Sequence, residues 1–244
     1  MARPCIFCGA EAADSKEHAI PDWMLRHFRR RHPGSTRQLQ GWYGPAGQQQ
    51  SFDILNGEVI AEEGVCDACN RGWMRRLEDR IIPKLRPLID GHQVILPPGM
   101  QRILGRWCAK TAATVSMFHP VSPGIPDDHK RAIRDRGEAS RLATITIGHY
   151  EPESRDEIDY QFRNVSLDPN RFGAGKAYLS TIRVGHFVCQ IAGPCDTAEV
   201  AIISGHGPAI LTIWPPLDPQ CIRWPRSTGM DRTSFRRFGH FDLA

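Results

Sequence analysis

Cys5 and Cys8 form one Cys-x-x-Cys pair, and Cys66 and Cys69 form another 58 positions beyond Cys8. Two such pairs can present four thiolates tetrahedrally to one Zn²⁺, because each makes a tight knuckle whose sulfurs converge on a single ion. Beyond each knuckle stands a polar group of catalytic type: Glu17-His18 after the first and Asn70 directly after the second. Neutral His18 can act as a general base toward water. The Glu17 carboxylate and the Asn70 amide oxygen are hard ligands suited to Mg²⁺ or Mn²⁺. A base that deprotonates water and a cation that neutralises charge on a phosphate and its leaving oxygen are what phosphodiester hydrolysis requires. A structural zinc would bring these groups together from distant segments. One geometric condition attaches to that assembly. Adjacent strand residues point to opposite faces, so Glu17 and His18 reach one site only where the strand ends or is distorted.

The elements that must position these residues are legible around them. Residues 15–20 read as a short strand, and Pro21 suits the first turn of a helix, where its missing N–H costs nothing. Trp23, Met24, His27 and Phe28 recur at helical spacing, which predicts a helix over 21–31. Arg26, Arg29, Arg30 and Arg31 make it basic, and Arg29 and Arg30 are candidate nucleic-acid contacts, against the alternative of a solvated helix face. Residues 51–55 and 58–61 read as two strands joined by an Asn56-Gly57 turn, a hairpin delivering the chain to Cys66. Trp73, Leu77 and Ile81 lie four apart, predicting a helix over 71–82, with Pro83 either interrupting it or starting another turn. Arg71 and Arg75 near its start can contact phosphates or form surface salt bridges with Glu78 or Asp79.

Glu17-His18-Ala19-Ile20-Pro21, followed by Cys66, Cys69 and then at once Asn70, resembles the HNH or ββα-metal endonuclease domain with a four-cysteine zinc site. The likeness covers residues 5 to 90. It implies a zinc-stapled ββα unit in which His18 is the general base and Glu17 and Asn70 serve a catalytic divalent ion. Two positions depart from the pattern. The last motif residue is Asn70, not His, and there is no Asn at the middle position, where the chain reads Val59-Ile60-Ala61-Glu62-Glu63. The run Cys-Asn-Arg-Gly-Trp-Met also resembles bacterial HNH-like proteins that carry a second, C-terminal region, a likeness that brings no substrate with it.

Composition bounds the rest. A chain of 244 residues with 41% apolar and 24% charged residues is ordinary for a folded globular protein, and no apolar run is long enough to span a bilayer. No apolar signal core precedes the first cysteine, so the expectation is a cytoplasmic protein, where paired cysteines serve metals and not disulfides. Cys108, Cys189, Cys195 and Cys221 lack ligand spacing. The net charge of +4 is too small to argue nucleic-acid binding by itself, so clustering matters more than the sum. Past residue 92 the pattern changes. Ile103, Leu104, Trp107, Cys108, Thr111, Ala112, Val115 and Phe118 form the stripe of a long core helix, and 127–136 is a charged helix. Strands then follow over 143–150, 158–164, 178–191, 198–204 and 210–214, an antiparallel sheet. An arginine-rich tail completes the chain, either steering nucleic acid or forming a polar terminus.

These readings converge on an α+β protein with an HNH-like zinc-containing domain over 1–92 and a helix-plus-antiparallel-sheet region over 93–244 that shapes substrate choice. The expected function is a metal-dependent endonuclease with nucleic acid, DNA first, as its partner, structural Zn²⁺, and catalytic Mg²⁺ or Mn²⁺. The competing class is a non-catalytic zinc module that binds nucleic acid or a protein, which the missing middle Asn favours.

Overall fold

The computed structural model describes residues 4–10, 15–18, 20–31, 38–43, 48–53, 60–117, 124–151, 158–166, 175–195, 209–216, 220–225 and 229–240. In chain order its elements are β1 (Ser15–His18), α1 (Asp22–Arg31), β2 (Gln38–Tyr43), β3 (Gln48–Asp53), β4 (Ile60–Val65), α2 (Asp67–Cys69) and α3 (Arg75–Ile89). They continue with β5 (Val94–Leu96), α4 (Pro98–Ser116), α5 (Asp127–Asp135), β6 (Thr144–His149), β7 (Ile158–Ser166) and β8 (Lys176–Val184). The last are β9 (Phe187–Pro194), β10 (Ile210–Trp214), β11 (Ile222–Trp224) and α6 (Arg232–His240). The class is α+β, and among the described residues no helix is long and apolar enough to cross a membrane.

Helix α4 is central. Pro98 opens it, and nearly every side chain from Leu104 to Val115 is buried, so this helix is covered on all sides and not along one stripe. It packs against α3, α5 and the strands β6, β8, β9 and β10. Trp107 is fully buried, its ring 6.5 Å from that of Phe187 on β9. One continuous apolar cluster includes Phe7, Met24, Leu77, Trp107, Ile145 and Trp224, and so draws on segments either side of residue 92.

The large sheet runs in the order β10-β6-β9-β8-β7-β2-β3 among the described residues, antiparallel throughout except for the parallel pair β2 and β7. Two corrections to the sequence reading follow. The strands flanking Asn56-Gly57 do not pair with each other: β3 pairs with β2, while β4 pairs with β1. Longer-range pairing thus places part of the segment between the two cysteine pairs in the large sheet. The span 178–191 is not one strand but the hairpin β8-β9, turned at Gly185 and His186, where Gly185 takes φ 57. The expected strand over 198–204 and the Asn56-Gly57 turn itself lie outside the described residues.

Helix α3 runs unbroken through Pro83 and Pro87, because Leu77, Ile81, Leu85, Leu88 and Ile89 give it a buried stripe that outweighs the lost backbone bonds. The His27 ring lies 2.8 Å from Asp90, tying α1 to the end of α3. The arginine-rich tail forms α6, docked through buried Phe235 and Phe238, with Arg183 of β8 stacked 4.4 Å over the Tyr150 ring.

Because Trp107 sits where α4 meets the sheet, Trp107→Ala should cost about 3 to 5 kcal/mol of unfolding free energy. Urea titration measures it, and a loss below about 1 kcal/mol would be incompatible with this packing.

Candidate metal centre and adjacent cavity

The two cysteine knuckles meet. Cys5 N–H donates to the Ala10 carbonyl and Gly9 N–H to the Cys5 carbonyl, both at 2.8 Å, and Gly9 takes φ 73 to close that turn. The Ala10 N–H donates to Cys8 Sγ at 3.4 Å. The second knuckle is the start of a helix: Cys69 and Asn70 N–H both donate to the Cys66 carbonyl. Strand β4 runs directly into it, and the Gly64 carbonyl accepts from Ile6 N–H at 2.9 Å, locking one knuckle beside the other.

The four Sγ atoms of Cys5, Cys8, Cys66 and Cys69 lie within 4.8 Å of one another. Zinc–thiolate bonds near 2.3 Å in a tetrahedron put sulfurs about 3.8 Å apart, so this spacing fits one Zn²⁺. Cys8 and Cys66 are 3.5 Å apart, well beyond a disulfide bond. Burial raises the Cys5 thiol, but backbone N–H groups of Cys66, Phe7 and Cys8 outweigh it and bring Cys5 down to about 7. Burial together with the neighbouring sulfurs pushes Cys66 and Cys69 up. Once one thiolate forms its neighbours resist ionising, and a dication at the centre removes that conflict.

Beside the cluster lies a cavity of about 180 Å³ lined by Glu17, Asn70, Arg71, Met74, Arg75 and Glu78. Three devices shape it. The β1–β4 ladder shifts register between Ser15 and Glu17, and Glu17 is buried. The helical path kinks over Asn70–Met74, where Gly72 leaves helical geometry (φ −85, ψ −107) between α2 and α3. Asn70 Nδ2 donates to Ser15 Oγ at 3.2 Å, and Ser15 Oγ donates to the Val65 carbonyl at 2.8 Å, so the amide is oriented by the β1–β4 pair.

The structure therefore brings Glu17, Asn70, Arg71 and Arg75 to one cavity. His18 is half-buried and absent from the cavity's lining residues, although its charge favours the ionised form of Glu17. The ladder's distortion precedes Glu17, and past it the ordinary strand alternation turns the two neighbours apart. Arg71 pairs with Asp67 one turn earlier at 2.7 Å, not with Glu78 or Asp79. Arg30 is exposed on α1, while the side chain of Arg29 lies outside what the structure describes.

Glu78 has another partner, one that reasoning from the sequence passed over. Lys110 of α4, fully buried, places Nζ 2.9 Å from Glu78 Oε1 and 3.3 Å from Glu17 Oε1. Burial disfavours the lysine's charge, yet Glu78 and then Glu17 more than compensate and raise its pKa. Glu17 is raised as well: burial leads, and Lys110 at the longer distance, with the Glu78 charge opposing it, does not restore the ordinary value. One signal was available. Lys110 is the single Asp, Glu, Lys or Arg between Arg106 and Asp127, set in the stripe of a core helix.

No protein-family model matches this chain, and neither a curated protein nor a solved structure matches it.

The four-cysteine geometry leads to an expected content of about one zinc per chain by elemental analysis. Cys66→Ser should lose that zinc and much of its soluble yield, because metal-binding free energy in such a site is folding free energy. Metal-free protein with an unchanged melting temperature would contradict this.

Proposed function

We propose that this chain is a metal-dependent endonuclease of the HNH type, cytoplasmic, cleaving phosphodiester bonds of nucleic acid, DNA first. The observation that carries the reading is the shared cavity: Glu17 and Asn70, separated in sequence by a helix, three strands and the second knuckle, line it together with Arg71 and Arg75. Support also comes from the local order of elements around the four cysteines, an antiparallel strand pair followed by a knuckle and a helix.

The donor set suits a hard divalent ion, since a carboxylate and an amide oxygen are the ligands Mg²⁺ and Mn²⁺ take while keeping most of their water. When bound, such an ion supplies charge neutralisation at the phosphate and its leaving oxygen. The chain's own residues do the rest. His18 accepts the proton of the attacking water. The guanidinium groups of Arg71 and Arg75 hold phosphate oxygens at the mouth of the cavity. Arg75, Arg76 and Arg80 are exposed along α3, and Arg106 of α4 stacks 4.8 Å over the Trp73 ring. The Arg106 charge is disfavoured by burial and by Arg80 and Arg76, so cations crowd together here as they do where a polyanion is to be bound.

The second reading is a zinc module that binds nucleic acid without cutting it. The position of His18 outside the cavity lining, together with the engagement of Glu17 by Lys110, favours it.

A nicking assay with Mg²⁺ or Mn²⁺ separates the two. His18→Ala should lower cleavage about a hundredfold to ten-thousandfold with fold and zinc intact. Glu17→Ala and Asn70→Ala should instead raise the divalent-ion concentration needed for half-maximal rate. Arg75→Ala should reduce the salt dependence of binding by about one phosphate contact, a slope change near 0.9. Unimpaired cleavage by His18→Ala would remove His18 as the general base, and wild-type protein inert on every nucleic acid offered would leave only the binding-module reading.

A further inference from the structure

We propose that Lys110 is a positioning residue of the candidate site, holding the Glu17 carboxylate at the edge of the cavity from a helix that lies beyond residue 92. The inference rests on the nuclease reading and extends it, because the resemblance stops near residue 90 and assigns nothing to α4.

Three observations carry it. The first is geometry: Lys110 Nζ bridges Glu17 Oε1 at 3.3 Å and Glu78 Oε1 at 2.9 Å, and both glutamates line the cavity. The second is rigidity. Lys110 has no exposed surface, and its neighbours Ala109, Thr111, Ala112 and Ala113 are buried too, so its ammonium is held by a packed helix. The third concerns Glu17. It stands on a strand of 4 residues, directly after a register shift, so the strand alone is a poor support for a three-torsion side chain. A buried ionic group is weak evidence for stability, since apolar residues of similar volume often serve as well. What the lysine supplies that an apolar residue could not is a fixed partner for two oxygens at the edge of a polar cavity.

Removing Lys110 alone leaves two carboxylates facing each other, and loss of folding would then say nothing about position. Lys110→Met combined with Glu78→Gln keeps the local formal charge of the wild type, and it is compared with Glu78→Gln alone, so a loss confined to the double variant reports the missing lysine and not the missing carboxylate. Three measurements are made on the full zinc-loaded chain: thermal unfolding, Mn²⁺ binding followed by electron paramagnetic resonance, and single-turnover cleavage of DNA. Melting near the wild-type temperature, with Mn²⁺ affinity and cleavage rate each about 10- to 100-fold lower and affinity for DNA unchanged, is the expected result. A double variant that binds Mn²⁺ and cleaves like the wild type overturns the inference and reduces Lys110 to a counter-charge for Glu78. If that variant does not fold, Lys110→Leu with Glu78→Leu is read by the same measurements with the same two outcomes. Wild-type protein that cleaves no nucleic acid overturns the nuclease reading and this inference with it, whereas an active wild type and an equally active double variant overturn this inference alone.

Discussion

Four sulfurs held within 4.8 Å of one another are the constraint on which this structure depends. Protonated, they are poor hydrogen-bonding partners in a buried setting; ionised, they repel. A cation at their centre would make the arrangement favourable. Since Cys8 and Cys66 lie 58 positions apart, the cluster closes a long loop and brings β1 against β4. The loop's own strands are then free to join the large sheet, where β2 lies beside β7.

Charge is segregated around the cavity. Glu17 and Glu78 stand at its buried side with Lys110 behind them, while Arg71 and Arg75 are exposed at its rim. Taking charged groups out of water is expensive, and the cost is offset only where several partners converge with good geometry. Lys110 meets that condition with two carboxylates and a raised pKa. The rim arginines are exposed, and Arg71 is paired with Asp67 there, a contact that hydration and added salt weaken.

The kink at Gly72 connects these features. A regular helix from Cys66 onward would carry Asn70, Met74 and Glu78 up one face at constant spacing. The kink breaks that constant spacing between Asn70, which bonds to Ser15, and Glu78, which reaches Lys110. The same short segment thus joins the metal centre, the strand pair and the core helix.

Features that depend on local chemistry were legible in the chain before folding. Paired cysteines at knuckle spacing converge as expected, α4 and α5 fall where periodicity places them, and Asn70 follows the knuckle directly into a helix. These outcomes follow from short-range periodicities and from ligand geometry that a few neighbouring residues impose. Only the tertiary structure decided which strands pair, because an Asn-Gly turn states a preference worth little against a ladder and a packed face. The partner of Glu17 was equally hidden. A lysine in a core stripe marks a buried charge, but its counter-charges stand 93 and 32 positions earlier, and nothing local specifies them. The same holds for His18, which is absent from the cavity lining because the register shift comes before Glu17 and leaves ordinary alternation to turn the two neighbours apart. Side-chain alternation is a local rule, whereas the point at which a ladder slips depends on everything packed against both strands.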